Sequence, residues 1–257
     1  MPAEGNNARH PSTPSPRRVF FFHPPCPFGT AVPEAEWGRG QGGEVKRAII
    51  VANGALRDPE SARAVVRSGD LLIAADGGAH HCRALGLNPH VVVGDLDSLS
   101  PAVRAQLEGT GARFEIHPAR KDETDLELAI RAAMTQGAQE VLILAALGGR
   151  WDQSLANVLL LAHPDFAALS LRLADGPDSL WIVRDRVTVR GAPGDTLSLL
   201  PLAGDVEGVT LTGLEYPLDG GVLRAGFTTG VSNVLTAPEA TISIRRGVLL
   251  AVHTRRG

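Results

Sequence analysis

A regular alternation of short apolar runs and amphipathic stretches constrains the fold of this chain most strongly. From Arg47 onward, runs such as residues 48–52, 71–75 and 141–147 consist almost entirely of Val, Ile, Leu and Ala. Strands that are apolar on both faces are typical of a parallel sheet covered by helices on both sides. The sequence therefore predicts an α/β fold, with an N-terminal three-layer, Rossmann-like domain built on a parallel sheet.

The predicted strands of this part cover residues 48–52, 71–75, 91–93, 113–116 and 141–147. Predicted helices lie between them, at residues 59–68, 78–85 and 101–107, with one starting at the capping signal Thr124-x-x-Glu127. A last helix carries apolar residues at positions 155, 158, 159 and 162.

The pattern changes near Asp175 to short strands separated by Gly, Pro and Asp turns. These predicted strands cover residues 181–183, 186–190, 196–200, 209–211, 222–227 and 240–245. Such spacing is typical of a small all-β sandwich or barrel. We expect an α/β domain at 45–175 and a β-sandwich domain at 176–257. A β-sheet domain of about 80 residues forms only a marginal hydrophobic core by itself, so we expect it to pack against the first domain or against a second subunit.

Residues 1–44 are rich in Pro, Gly, Ser and Arg without periodicity, which predicts a disordered tail. Its glycine-rich stretch at 38–43 follows no strand and opens no helix, so a dinucleotide fingerprint is rejected. An apolar run after Arg17 and Arg18 is cut short by Pro24, which argues against a signal peptide.

Composition excludes several classes of protein. A net charge of −3 without a basic cluster argues against a nucleic-acid surface. No apolar stretch approaches the roughly 18 residues of a membrane span. The only cysteines are Cys26 and Cys82, which form no disulfide framework, so we expect a cytoplasmic protein.

Two acidic strings carry the main chemical signal. Residues 94–98, Gly-Asp-Leu-Asp-Ser, end a predicted strand, and residues 121–125, Lys-Asp-Glu-Thr-Asp, open a helix. Carboxylates at strand ends point into the crevice where α/β sheets bind ligands, and oxygen ligands suit Mg²⁺. Asp95 and Asp97 can reach one ion, although a solvated turn explains the pair equally well. Such pairs occur in phosphatases and in nucleotide-sugar transferases, so the pair alone does not choose a reaction.

The second string has a structural explanation and a functional one. Asp and Glu at a helix start routinely cap the helix, which explains Asp125 better than Asp122. A phosphate–metal complex also suits a helix N-terminus. Lys121 is one of only two lysines among 25 basic residues, which suggests that a compact ammonium contacts phosphate there.

Two further strand-to-helix corners carry aspartates, Asp76-Gly77-Gly78 and Gly148-Gly149-Arg150-x-Asp152. Four such corners with an aspartate at or just beyond the strand end favour one shared magnesium–phosphate site over four independent turns. His80 and His81 are adjacent on a helix and face different directions, so a shared metal ion is not expected. The sequence has no Walker loop and no G-x-S-x-G nucleophile elbow.

In order and spacing, these motifs resemble those of the thiamine pyrophosphokinase family. Ser232-Asn233 and the segment 213–218, Gly-Leu-Glu-Tyr-Pro-Leu, add to the resemblance, which covers about residues 47–252. The resemblance implies transfer of a pyrophosphoryl group from ATP to the thiamine hydroxyl, giving thiamine diphosphate and AMP. It also implies Mg²⁺ and a homodimer whose β-sandwich helps to form the thiamine site across the interface.

The resemblance further implies roles for individual residues. Catalytic roles fall to Asp76, Asp95, Asp97, Lys121, Asp122, Asp125 and Asp152, with Asp95, Asp97 and Asp122 as metal ligands. ATP contacts fall to Gly77, Gly78, Ser98, Lys121, Thr124 and Arg150. Thiamine contacts fall to Asp152, Gln153, Asn157, Tyr216, Ser232 and Asn233.

One position departs from the family pattern, since Gln153 stands where the family usually has histidine. Glutamine can hydrogen-bond but cannot titrate near neutral pH, so it could not replace a histidine that acts as a required general base. A structural role is favoured at this position because the neighbouring Asp152 is kept. Two alternatives stay open: a metal-dependent phosphohydrolase or nucleotide-sugar transferase on the same carboxylates, and a non-catalytic thiamine or nucleotide sensor.

Overall fold

The computed structural model describes residues 46–256; the predicted tail, Cys26 and the glycine-rich stretch at 38–43 lie outside this range. Its first part contains β1 (Lys46–Val51), α1 (Pro59–Ala64), β2 (Leu71–Ala75), α2 (Gly78–Ala84), β3 (Val91–Gly94), α3 (Pro101–Gly109), β4 (Arg113–Ile116), α4 (Asp125–Thr135), β5 (Ala138–Leu144) and α5 (Trp151–Leu160). Its second part contains a 3₁₀ turn (Pro164–Phe166), β6 (Ser170–Asp175), β7 (Asp178–Val183), β8 (Arg186–Arg190), β9 (Thr196–Pro201), β10 (Val206–Thr212), β11 (Leu218–Leu223), β12 (Asn233–Val234), β13 (Glu239–Ser243) and β14 (Leu249–Thr254).

The five strands of the first part and β6 of the second form six parallel strands, in the spatial order β6-β5-β1-β2-β3-β4. Chain order reverses direction between β1 and β5, and in open α/β sheets the ligand crevice lies at such a switch point. Alternate residues of each strand enter different cores, so that Ile49 packs with α1 and α2 and Ile50 packs with α4. The predicted parallel sheet with helices on both faces is therefore confirmed.

The second part is a β-sandwich, as predicted. A four-stranded sheet in the order β11-β10-β13-β8 faces strands β7, β14 and β9. Trp181, Leu197 and Leu199 from one sheet and Val209 and Ile242 from the other share one core.

The two parts are joined through the backbone of one sheet. β7 pairs antiparallel with β6, and β14, β9 and β12 extend the same sheet to ten strands. Pairing thus changes from parallel to antiparallel at the position where the sequence places a domain boundary, but hydrogen bonding continues across it. The domain division itself stays a prediction.

Several predicted boundaries are wrong. The strand expected at 222–227 is β11 at Leu218–Leu223, followed by a turn in which Phe227 N–H donates to the Arg224 carbonyl. β5 ends at Leu144, because Ala145 adopts a φ of 52°. Helix α1 ends at Ala64 instead of near residue 68. Strands β6, β12 and β14 have no counterpart among the predicted strands. Of these, β14 lies between β7 and β9 in the sheet.

Candidate active site

Three carboxylates meet at the carboxyl ends of neighbouring strands β2 and β3. Within the described residues, one oxygen each from Asp76, Asp95 and Asp97 lies within 4.8 Å of the others. Asp76 follows β2, and the other two follow β3, whose Val93 is in register with Ala75. This group unites two of the four predicted corners, whereas Asp122 is not a member of it.

Backbone conformation at this corner depends on a glycine. Gly94 has a φ of 150°, and a Cβ there would lie 3.0 Å from the Cβ of Asp76 and 3.3 Å from Oδ1 of Asp125. Asp76 and Leu96 have φ values of 43° and 63°. Non-glycine residues with positive φ store strain and concentrate at functional sites. The strained backbone brings the carboxylates together.

Mutual repulsion characterises the electrostatics of the group. The charge of Asp95, followed by burial and the charge of Asp76, raises the pKa of Asp97. Hydrogen bonds relieve part of this, because Ser98 Oγ donates to Asp76 Oδ1 at 2.9 Å and Asp97 N–H donates to Asp95 Oδ1 at 3.2 Å. A divalent cation bound by oxygen ligands would relieve the rest, and this donor set suits Mg²⁺.

The second acidic string approaches the same corner. Lys121 Nζ donates to Asp125 Oδ1 at 2.8 Å and to the Pro118 carbonyl at 3.3 Å. Since Asp125 also lies beside Gly94, this ion pair is adjacent to the carboxylate group. Asp122 is exposed.

Half of the predicted capping box is formed at the start of α4. Thr124 is the N-cap, and its Oγ1 accepts a hydrogen bond from Glu127 N–H at 3.2 Å. The Glu127 carboxylate instead accepts from Arg131 at 2.8 Å.

Gly77 and Gly78 permit close packing of α2 against the end of β1. A Cβ on Gly78 would lie 2.0 Å from the Val51 carbonyl oxygen, and one on Gly77 would lie 2.4 Å from the Asn53 side chain. Packing alone therefore explains both glycines. His80 and His81 make different contacts, with the carbonyl oxygens of Ser98 and of Gly54 respectively.

The turn before α5 carries Arg150 and Asp152. Gly148 and Gly149 have φ values of 89° and 72°, and Arg150 is the N-cap. Arg150 pairs with Asp152 through its Nε, 3.1 Å from Oδ1, and through its Nη2. Hydrogen bonding from Arg150 lowers the pKa of Asp152, so this carboxylate is ionised near neutral pH. Both side chains are exposed.

Two residues of α5 hold this turn from the inside. Ser154 Oγ accepts from Gly148 N–H at 3.1 Å and donates to the Arg150 carbonyl at 3.0 Å. Asn157 Nδ2 donates to the Ala146 carbonyl at 2.8 Å. Sequence reasoning missed Ser154, and its spacing of four residues from Arg150 was the available signal.

The predicted thiamine contacts of the sandwich lie together. The Asn233 side chain accepts from Tyr216 N–H at 3.0 Å and donates to the Tyr216 carbonyl at 2.8 Å. Ser232 has a φ of 60°, and its N–H donates to Ser198 Oγ at 2.9 Å. Asn233 is buried and Tyr216 is 66% exposed, so a buried amide orients an exposed aromatic side chain.

Helix α5 presents apolar side chains to the outside. Trp151, Leu155 and Leu159 recur every four residues and are 82%, 60% and 56% exposed, whereas Ser154 is the buried residue of the helix. The helical pattern predicted here is confirmed, but Leu155 and Leu159 face away from the core. Across residues 46–256, no helix has both the length and the hydropathy needed to cross a membrane.

Comparison with known protein families gives two consecutive matches. The family described as "Thiamin pyrophosphokinase, catalytic domain" matches residues 62–173. The family described as "Thiamin pyrophosphokinase, vitamin B1 binding domain" matches residues 186–249. Together the two matches cover more than half of the chain.

Curated relatives and solved structures agree with these matches. Thiamine pyrophosphokinase of Bacillus subtilis (strain 168) is 28% identical over 194 residues, which are 72% of this chain and 87% of that protein. Thiamine pyrophosphokinase 1 of Oryza sativa subsp. japonica is 26% identical over 234 residues, covering 81% and 87%. The crystal structure of the Bacillus subtilis enzyme superposes with a TM-score of 0.74 at 26% identity, covering 82% of this chain and 100% of that one. The Geobacillus thermodenitrificans enzyme gives a TM-score of 0.72 at 27% identity, covering 82% and 98%.

Proposed function

The chain belongs to the thiamine pyrophosphokinase family, and from this premise we propose that it transfers the pyrophosphoryl group of ATP to the hydroxyl of thiamine. The products are thiamine diphosphate and AMP. One structural observation supports the proposal most directly: the carboxylates of Asp76, Asp95 and Asp97 lie close together at the carboxyl edge of the parallel sheet. Transfer of phosphoryl-type groups depends mainly on positioning and charge neutralisation, which such a site supplies.

We assign Mg²⁺ to these carboxylates. Asp95 and Asp97 belong to the ligand set implied by the family resemblance, and the proximity of its carboxylate favours Asp76 as the third ligand in place of Asp122. Repulsion within the group, expressed in the raised pKa of Asp97, supports a cation there. When bound, the ion neutralises negative charge on the phosphates.

Cationic and amide groups around the carboxylates bind the rest of the ATP phosphates. Lys121 lies beside the carboxylate group through Asp125, and Arg150 projects into solvent from the glycine turn. The N-terminus of α4 at Thr124 favours negative charge through its free N–H groups. Ser98 and the backbone of Gly77 and Gly78 complete this surface, so these glycines would serve phosphate binding in addition to the packing of α2. Asp122 would lie near the phosphates, outside the set of metal ligands.

Asp152 acts as the base toward thiamine. Hydrogen bonding from Arg150 keeps the carboxylate ionised, so it can accept a hydrogen bond from the thiamine hydroxyl and orient it, and the proton passes to the carboxylate as the hydroxyl oxygen bonds to phosphorus. The hydroxyl oxygen forms a bond to the β-phosphorus of ATP while the bond from that phosphorus to the bridging α-oxygen breaks, and AMP leaves with the electron pair. Gln153 and Asn157 lie on the same helix, and Tyr216, Ser232 and Asn233 provide the contacts from the sandwich.

The functional unit in this proposal is a homodimer. Trp151, Leu155 and Leu159 form an exposed apolar face directly beside Asp152, and apolar stripes of this kind mark association surfaces. Burial of this face against a second copy brings the turn of one chain close to its partner. Residues 45–175 would then bind ATP, and 176–257 would contribute to the thiamine site. We place the reaction in the cytoplasm because the chain has few cysteines.

One assay tests the activity. Purified protein incubated with ATP, Mg²⁺ and thiamine should give AMP and thiamine diphosphate in equal amounts. Thiamine-independent release of ADP or phosphate would instead favour a phosphohydrolase. Binding of both substrates without turnover would favour a sensor.

A further inference from the structure

We propose that Ser154 is a positioning residue that fixes the glycine turn carrying Arg150 and Asp152. This inference deepens the proposed function and rests on it for the roles of Arg150 and Asp152. Ser154 itself contacts neither substrate in the proposed reaction, because its hydroxyl is directed into the protein.

The hydroxyl of Ser154 uses both of its hydrogen-bonding capacities within the turn. It accepts from Gly148 N–H at 3.1 Å and donates to the Arg150 carbonyl at 3.0 Å. Serine in a helix often donates to the carbonyl four residues earlier. The additional bond to an N–H six residues earlier makes Ser154 a bridge across the turn.

The turn needs such a bridge for two reasons. Gly148 and Gly149 both have positive φ, and glycine is conformationally the least restricted residue. The side chain of the N-cap residue Arg150 bonds the Asp152 carboxylate but accepts no hydrogen bond from a backbone N–H of the first turn of α5, so the usual capping contact is not made there. Ser154 therefore supplies from within the helix an anchor that an N-cap side chain supplies elsewhere.

Ala55 provides a second anchor for the turn. A Cβ on Gly148 would lie 2.6 Å from the Cβ of Ala55, whose N–H donates to the Leu147 carbonyl at 2.7 Å. Among residues 46–256, none outside its chain neighbours lies within 4 Å of a Cβ placed on Gly149. Gly148 is thus held between Ala55 and Ser154, and Gly149 joins it to Arg150.

The side chains of Arg150 and Asp152 are exposed, and each is the hydrogen-bonding partner of the other. Their position relative to the carboxylate group consequently depends on the backbone of the turn. Without the Ser154 hydroxyl, Gly148 N–H loses its acceptor, and the turn samples more conformations. Charge stabilisation in the transition state then weakens more than substrate binding does.

The experiment compares Ser154→Ala with Ser154→Thr, which keeps a hydroxyl, and with Ser61→Ala as a matched control. Ser61 is a buried serine of α1 that lies outside the proposed machinery. For Ser154→Ala we expect kcat to fall about two- to tenfold, because both hydrogen bonds of the Ser154 hydroxyl to the turn are lost, with a smaller change in both KM values. Amide hydrogen exchange within residues 146–152 should accelerate in the same variant.

Ser154→Thr should have the kcat and the exchange protection of the wild type. Ser61→Ala should lower thermal stability but leave both kcat and the exchange protection of residues 146–152 unchanged. Wild-type kcat and protection in Ser154→Ala would overturn the proposal, as would an equal fall of kcat in Ser61→Ala. A threonine variant that folds and behaves like the alanine variant would overturn it as well.

Failure of the inference and failure of the proposed function are distinguishable. Turnover by the wild-type chain tests the function alone. Hydrogen exchange in residues 146–152 does not require turnover, so unaccelerated exchange in Ser154→Ala would refute the inference even if no thiamine diphosphate forms. Accelerated exchange with unchanged kcat would show a structural bond only and would refute positioning.

Discussion

The exposed face of α5 leads to a quantitative prediction about association. We expect Leu155→Ala to weaken the proposed homodimer strongly while the monomer keeps its fold. Leu155 is 60% exposed, and its replacement leaves the buried cores unchanged. Trp151 and Leu159 flank it on the same face, so it lies at the centre of the apolar stripe.

The magnitude follows from the exposed fraction. Complete burial of a leucine side chain contributes about 1.5–3 kcal/mol, so burying the 60% still exposed contributes about 1–2 kcal/mol. A two-fold symmetric interface contains the residue twice, which gives about 2–4 kcal/mol per dimer. The dimer Kd should therefore rise roughly thirty- to several-hundredfold.

Sedimentation velocity over a dilution series measures this shift directly. Ile116→Ala is the matched control, because Ile116 is 57% exposed but lies on the edge strand β4, away from α5. The control should associate like the wild type. A wild-type chain that stays monomeric at high concentration, or a Leu155→Ala variant that dimerises normally, would refute the reasoning.

Three further predictions follow from the site and its surroundings. Asp97→Asn should lower kcat roughly a hundredfold in the coupled assay, and its thermal midpoint without Mg²⁺ should not fall, because the change removes a repelled charge. Unchanged turnover would contradict the metal assignment. Gly78→Ala should lower the free energy of unfolding by at least about 1–3 kcal/mol in urea titrations, because its Cβ would lie 2.0 Å from a carbonyl oxygen of β1. Gly109→Ala, a helical position with open space, should instead be neutral or stabilising. Burial lowers the pKa of His253 below 6.5, so the unfolded chain binds more protons than the native one beneath that pH, and stability should fall there as pH falls. His253→Gln should show a smaller loss of unfolding free energy between pH 7 and pH 5, and an equal loss would contradict this origin.

Local features of the fold could be predicted because they depend on neighbouring residues. Alternating apolar runs located β2, β3 and β4 to within a residue, and the proline and serine before α3 marked its start. Thr124 acts as the predicted N-cap of α4. Strand β14 was missed although its run Leu-Leu-Ala-Val is apolar, because its partners β7 and β9 lie far away in the chain.

The candidate site, too, could be predicted only in part from the sequence. Its aspartates and glycines could be identified from the sequence because they follow predicted strands, and the carboxyl ends of parallel strands lie at one edge of the sheet. Which carboxylates meet depends on the strand order, and β2 lies directly beside β3. Asp76 consequently joins Asp95 and Asp97, and the role of Ser154 became visible only through its hydrogen bonds.

The sequence by itself determined the α/β fold followed by a β-sandwich, the acidic corners and the family resemblance, because periodicity and motif order are properties of the chain. Tertiary structure decided the continuity of the sheet across Asp175, the composition of the carboxylate group and the outward direction of Leu155. Each of these depends on pairing and packing between residues distant in the chain. Such contacts form only when loop-closure entropy is offset by burial, and a local pattern does not encode them.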